Sequence, residues 1–140
     1  MQLVLTAVVV LATDQAVKLL VRSPQFDVVR LGPFGSLRVV AGRLWLARSA
    51  RSAPNTLGLW AVSAGALMIA AAALPSSHVF VGLLVGGSLS NVVERWLRGS
   101  VTDFVCLRFW PAFNVADVAL AVGALGVGIE LLRTVGAVVG

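Results

Sequence analysis

The sequence predicts an all-α membrane protein with four transmembrane helices and a small β-element between helices 1 and 2. A single integral membrane domain accounts for residues 1–140. Composition carries the first part of that reading. Hydrophobic residues make up 59% of the chain and charged residues 12%, with mean hydropathy +0.96, whereas a soluble globule is about half apolar and about a quarter charged. Length carries the second. One span takes about 20 apolar residues, so four take about 80 and leave roughly 60 for connections. The third observation is that four such runs can be found. The same composition excludes a disordered chain, a collagen-like repeat and a disulfide scaffold, since Cys106 is the only cysteine.

The first run, Met1 to Val21, has no basic n-region, and Asp14 and Lys18 stand where a cleavage site would need small residues. It reads as a retained transmembrane helix. The connection from Ser23 to about Thr56 contains Pro24, Pro33 and Pro54. It also has β-favouring stretches at Phe26–Val29 and Leu37–Val40, which predict a small twisted β-element at the membrane face. The second run is Leu57–Leu74, and the third, Val79–Leu97, follows a connection of Pro75, Ser76, Ser77 and His78. So short a link requires antiparallel neighbours. Gly99–Phe113 forms the other long connection, and Asn114 to about Val139 is the fourth run. Trp45, Trp60, Trp96 and Trp110 fall near span ends, as indole rings do at a membrane interface.

The net charge is +5 and the isoelectric point about 11.4. In a soluble protein this balance would point to nucleic acid. Here the basic residues are dispersed along an apolar chain, which favours membrane lipids as partners and gives no nucleic-acid site. His78 is the only histidine in the sequence, so no metal site is expected.

Charged groups within spans are costly and each needs an explanation. Asp14 and Lys18 are four apart on one helix face and can pair. Asn91 and Arg95 are also four apart, beyond the small residues Gly86, Gly87, Ser88 and Ser90, and Gly82-x-x-x-Gly86 is a close-packing pattern. Glu94 and Arg98 read as an interfacial ion pair. Asp117 has two readings on spacing alone. Asn114 with Asp117 three residues later makes a capping-box-like helix start. Alternatively, a folded-back loop brings Asp103 beside Asp117, where two close carboxylates share a proton and one acts as base.

Four segments in order carry a family resemblance: Asp14-Gln15-x-x-Lys18, Gly86-Gly87-Ser88-Leu89-Ser90-Asn91-x-x-Glu94-Arg95, Gly99-x-Val101-x-Asp103-Phe104 and Phe113-Asn114-x-Ala116-Asp117. Together they resemble the motifs of the lipoprotein signal peptidase (signal peptidase II) family. The resemblance implies an intramembrane aspartic endopeptidase with an extracytoplasmic β-cradle. It would act on prolipoprotein signal peptides preceding a diacylglyceryl-modified cysteine, in the bacterial cytoplasmic (inner) membrane, as a multi-pass monomer. Asp103 and Asp117 match the catalytic dyad. Asn91, Arg95 and Asn114 match residues that bind substrate or orient the dyad, and Asp14 and Lys18 match the first-helix pair. No metal or organic cofactor is implied. Ser90 and Glu94 replace the family's usual Gly and Asp, and an Asn-x-Gly-x-Ala-Phe-like motif after the first helix is missing, with Val40–Trp45 as its nearest counterpart. That erosion leaves a second reading open, a non-catalytic relative that binds lipopeptides or a partner transmembrane helix. Orientation carries its own conflict. All basic residues except Arg133 lie on or toward the two long connections, so the positive-inside rule places these in the cytoplasm, and the resemblance places them outside.

Overall fold

A computed structural model describes residues 1–42, 61–65, 67, 69 and 75–139. Its helices are α1 (Gln2–Val21), α2 (His78–Arg98) and α3 (Val115–Val139), and its strands are β1 (Val29–Arg30), β2 (Gly35–Gly42) and β3 (Val101–Leu107). They correspond to the first, third and fourth apolar runs. The second run, Leu57–Leu74, lies largely outside the described residues, and those described between 61 and 69 are helical. Among the described residues, two helical stretches, Gln2–Val21 and Val115–Ala137, are long and apolar enough to cross a membrane.

Burial along α1 inverts the ordinary soluble pattern. Its buried residues are Asp14, Lys18 and Val21, while Val4, Leu5, Val8, Val9, Leu19 and Leu20 are exposed. A helix with its charges inside and its aliphatic side chains outside is matched to an apolar solvent.

Small residues bring the helices together. An ideal Cβ on Gly82 would lie 2.7 Å from the Leu3 carbonyl oxygen and the Thr6 Cβ, and one on Gly86 would lie 2.5 Å from the Ala7 carbonyl oxygen. The expected small-xxx-small pattern is therefore the α1–α2 seam. On the other side of α2, a Cβ on Gly87 would meet the Ala116 carbonyl oxygen at 2.7 Å, and one on Gly126 would meet the Phe80 ring. These contacts set the directions. Positions near 3, 7, 15 and 18 of α1 meet 82, 86, 90 and 91 of α2, so the two run parallel. Ala116 meets Gly87 and Gly126 meets Phe80, so α3 runs antiparallel to both.

The sheet corrects the expectation that the β-element belongs to the first connection. Its order is β1-β2-β3, all antiparallel, and β3 comes from the second connection. The short β1 pairs with β2 only through Val29–Leu37 and Arg30–Ser36, leaving the other edge of the eight-residue β2 open. Gly99, at φ 75°, ends α2 in the left-handed conformation that favours glycine. The chain then turns back, and β3 pairs from Gly42–Val101 to Gly35–Leu107. The fold is mostly helical with this three-stranded sheet rather than all-α.

Gly86→Ala should separate α1 from α2 and destabilise by about 1–3 kcal/mol, the range for overpacked sites. Gly128, where nothing lies within 4 Å of an added Cβ, should tolerate Gly128→Ala with no loss, and a gain of up to about 1 kcal/mol. Thermal unfolding of the two variants in detergent checks the contrast.

Candidate active site

The site lies where α1 and α2 end, α3 begins and β3 runs alongside. Three backbone hydrogen bonds fold the second connection back on itself. Phe113 accepts from the Phe104 and Val105 amides at 3.1 and 3.0 Å, and its own amide donates to the Val105 carbonyl at 3.1 Å. Asn114 is thereby set beside Asp103. Its Nδ2 donates to Asp103 Oδ1 at 2.9 Å and lies 3.3 Å from the Thr102 carbonyl oxygen.

Asn114 also starts α3. Its Oδ1 accepts from the Asp117 amide at 3.0 Å, while Asp117 Oδ2 accepts from the Asn114 amide at 3.2 Å. That is a reciprocal capping box. Asp117 Oδ1 remains and accepts from Asn91 Nδ2 at 3.0 Å. The two readings of Asp117 are therefore compatible, because one carboxylate oxygen caps the helix and the other faces the polar junction. Buried Asn114 bonds both carboxylates, that of Asp103 through its side-chain nitrogen and that of Asp117 through its main-chain amide.

Burial first, and then the Asp117 carboxylate, push the Asp103 carboxyl above the usual carboxylate range, against a smaller opposing effect of its hydrogen bond from Asn114. The shift favours the protonated form of Asp103.

Behind Asp103 and Asp117 lies a buried ionic network. Lys18 Nζ is 2.6 Å from Asp14 Oδ2 and 2.9 Å from Glu94 Oε2, and it donates to Asn91 Oδ1 at 2.9 Å. The expected Asp14–Lys18 pair forms, with Glu94 as a second partner. Asp14 accepts from the Ser90 hydroxyl at 2.7 Å and from the Ala116 amide at 2.9 Å. The second of these satisfies a donor in the first turn of α3 that would otherwise be unpaired. Gln15 Nε2 donates to Ser90 Oγ at 2.7 Å.

Glu94 departs from expectation. It is buried, and it pairs with Lys18 and Arg22 and accepts from the Thr102 hydroxyl at 2.7 Å. Among the described residues Arg98 is in no ion pair. The ends of α1 and α2 come close enough for Lys18 and Arg22 to reach Glu94 first. Arg22 Nε also donates to Thr102 at 2.9 Å, so the cluster fastens β3, and with it Asp103, to both helix ends. Sequence reasoning missed Arg22 and Thr102 altogether and gave Gln15 and Ser90 no partners. Of these, Gln15 and Ser90 lay within quoted motifs, while nothing local marks Thr102 as a partner of residues on two other elements. Arg95 follows Asn91 by one helical turn, is partly exposed, and makes no ion pair or side-chain hydrogen bond among the described residues. It is not drawn into the cluster. Among the described residues no group of three or more His, Cys, Asp and Glu is placed to hold a metal ion.

Known proteins resemble this chain over most of its length. The profile of the family described as signal peptidase (SPase) II matches residues 6–133. A lipoprotein signal peptidase of Methylobacterium sp. (strain 4-46) is 34% identical, over 89% of this chain and 85% of its own length. One from Moorella thermoacetica is 31% identical, over 97% and 96%. A solved bacterial membrane enzyme superposes with a TM-score of 0.79 at 25% identity, covering 94% of this chain and 92% of that one.

Two outcomes follow from the electrostatics. Since the folded pKa of Asp103 lies above its unfolded value, the native state keeps a proton that the unfolded chain has released. Stability therefore falls as pH rises from the ordinary carboxylate range through the raised value. Asp103→Asn should flatten that slope and stabilise the protein at neutral pH, measured as thermal unfolding in detergent against pH; parallel curves for the two proteins would contradict it. Lys18→Met should cost about 3–5 kcal/mol by leaving Asp14 and Glu94 buried without their shared cation, with the same unfolding measurement as its check.

Proposed function

The chain belongs to the signal peptidase II family, and on that premise we propose that it is an aspartic endopeptidase removing the signal peptide from diacylglyceryl-modified prolipoproteins. The observation that carries the catalytic type is that one residue, Asn114, bonds both carboxylates: its side-chain nitrogen donates to Asp103 and its main-chain amide to Asp117. With Asp103 protonated and Asp117 as the base, Asp117 takes a proton from water as the water oxygen attacks the scissile carbonyl. Asp103 gives its proton to the carbonyl oxygen, yielding a neutral tetrahedral diol. The return of a proton from the diol and its delivery to the amide nitrogen break the C–N bond and restore one shared proton. Asn91 and Asn114 keep the dyad oriented. Arg95, free of ion pairs among the described residues, is assigned to the substrate backbone.

The setting belongs to the same proposal: one domain over residues 1–140 with four spans, acting as a monomer in the bacterial inner membrane. Membership of the family and likeness to a bacterial membrane enzyme support a membrane location. The four-span count has a topological support. Gly42 pairs with Val101 beside the end of α2, whereas Pro75 leads into its start. The chain therefore re-enters at the opposite end of a 21-residue helix, about 31 Å away. The sheet and dyad are assigned to the extracytoplasmic side.

Asp103→Asn and Asp117→Asn should each reduce cleavage of a diacylglyceryl-modified prolipoprotein peptide to near background while the protein stays folded and monodisperse. A capping role alone would give Asp117→Asn a stability loss of about 0.5–2 kcal/mol at most and leave Asp103→Asn active. Near-full cleavage by either variant would remove the dyad assignment.

A further inference from the structure

The exposed end of the sheet has a composition that catalysis does not use. The Arg108 amide donates to the Phe34 carbonyl at 3.0 Å, and Gly35 pairs with Leu107. Phe34 and the segment Arg108–Trp110 thus sit together at the sheet tip. The approach is tight: a Cβ on Gly35 would lie 2.1 Å from the Cys106 carbonyl oxygen. Phe34, Phe109 and Trp110 are 74%, 90% and 67% exposed. The Arg108 guanidinium lies 5.4 Å from the centre of the Phe109 ring, within cation–π range.

Charge at this end of the molecule is one-sided. Arg30 and Arg38 are exposed on the sheet, Arg108 just past the end of β3 and Arg98 at the end of α2, and none has an ion pair among the described residues. Asp14 and Glu94 are consumed by Lys18 and Arg22. Asp103 and Asp117 are held by Asn114 and Asn91. That leaves Asp27 as the exposed acid of this end. The far end carries a balanced Glu130–Arg133 pair.

We propose that the tip of the sheet is a docking surface for a phospholipid leaflet carrying anionic headgroups. Exposed aromatic rings flanked by arginines match the boundary between acyl chains and headgroups, where rings sit in the apolar layer and guanidiniums reach phosphate. Trp96, 57% exposed, and Arg98 put the same chemistry at the end of α2, where the helices give way to the sheet. A second copy of this tip would bring like charges together, which disfavours self-association. The surplus of arginine over acid favours anionic over zwitterionic lipid. This accounts for basic residues gathering on the side that the positive-inside rule would keep in the cytoplasm. The inference rests on the membrane setting above and not on the peptidase chemistry.

The test uses the full chain in nanodiscs, with Trp45, Trp60 and Trp96 replaced by Phe so that Trp110 reports alone. Brominated phosphatidylglycerol, present as a minor component in phosphatidylcholine, should quench Trp110 more strongly than the same fraction of brominated phosphatidylcholine. Arg30→Gln and Arg108→Gln should each reduce the preference, by up to about fivefold per charge removed, and salt should weaken it. Equal quenching by the two lipids, or a preference unchanged in both arginine variants, overturns the proposal. So does a Trp110 signal that ignores both lipids and responds only to the lipid-modified peptide, which would assign the tip to substrate. Peptide cleavage measured on the same preparations separates the two readings: an active chain without lipid preference overturns this inference alone, and a preference in the Asp103→Asn chain supports it independently of catalysis.

Discussion

Within a few ångströms of the Lys18 ammonium lie groups from two helices, and most of the junction depends on its charge. A buried amine without partners would be costly to desolvate. Asp14 and Glu94 neutralise it between them, with Arg22 supplying the balancing second cation on Glu94. Each neutralising group also has a second attachment. Asp14 reaches the Ala116 amide in the first turn of α3, and Glu94 reaches Thr102 on β3. Asn91, accepting from Lys18, turns its amide nitrogen to Asp117. One cation thereby ties α1, α2, α3 and β3 together around Asp103 and Asp117.

Asn114 shows how few groups such a junction needs. Its oxygen caps α3 and its nitrogen holds Asp103. Helix initiation and the placement of Asp103 therefore rest on one residue, and a substitution there would disturb both. Sequence spacing posed capping and catalysis as alternatives because it shows separation along the chain but not that a carboxylate has two oxygens with separate partners.

What the sequence made legible was local or carried by ordered motifs. Asp14 and Lys18, one turn apart, announced their pairing, and Gly82 and Gly86 announced a close helix seam. The likeness of four segments to one family pointed to the family that the whole-length comparisons support. The failures were long-range. Glu94 was assigned to Arg98 because both lie on the same helix, whereas its partners come from α1 and β3. The third strand went unassigned although Val101–Leu107 is rich in β-favouring residues, because its partner, the free edge of β2, comes from the other connection. Of the expected site residues, Asn91, Asn114, Asp103 and Asp117 are brought together and Arg95 stands apart.

The parallel course of α1 and α2 has a consequence for biosynthesis. Lys18 and Asn91 are 73 positions apart, so on a nascent chain α1 is complete long before Glu94 or Asn91 has been made. During that interval the ammonium has one acid within reach, Asp14, a single turn away on the same helix. The i,i+4 spacing thus gives the ammonium a counter-ion that is already in place once α1 is made. Only when α2 arrives alongside does Asp14 share the cation with Glu94 and Asn91. The order in which the partners are synthesised matches the order in which the charge needs them.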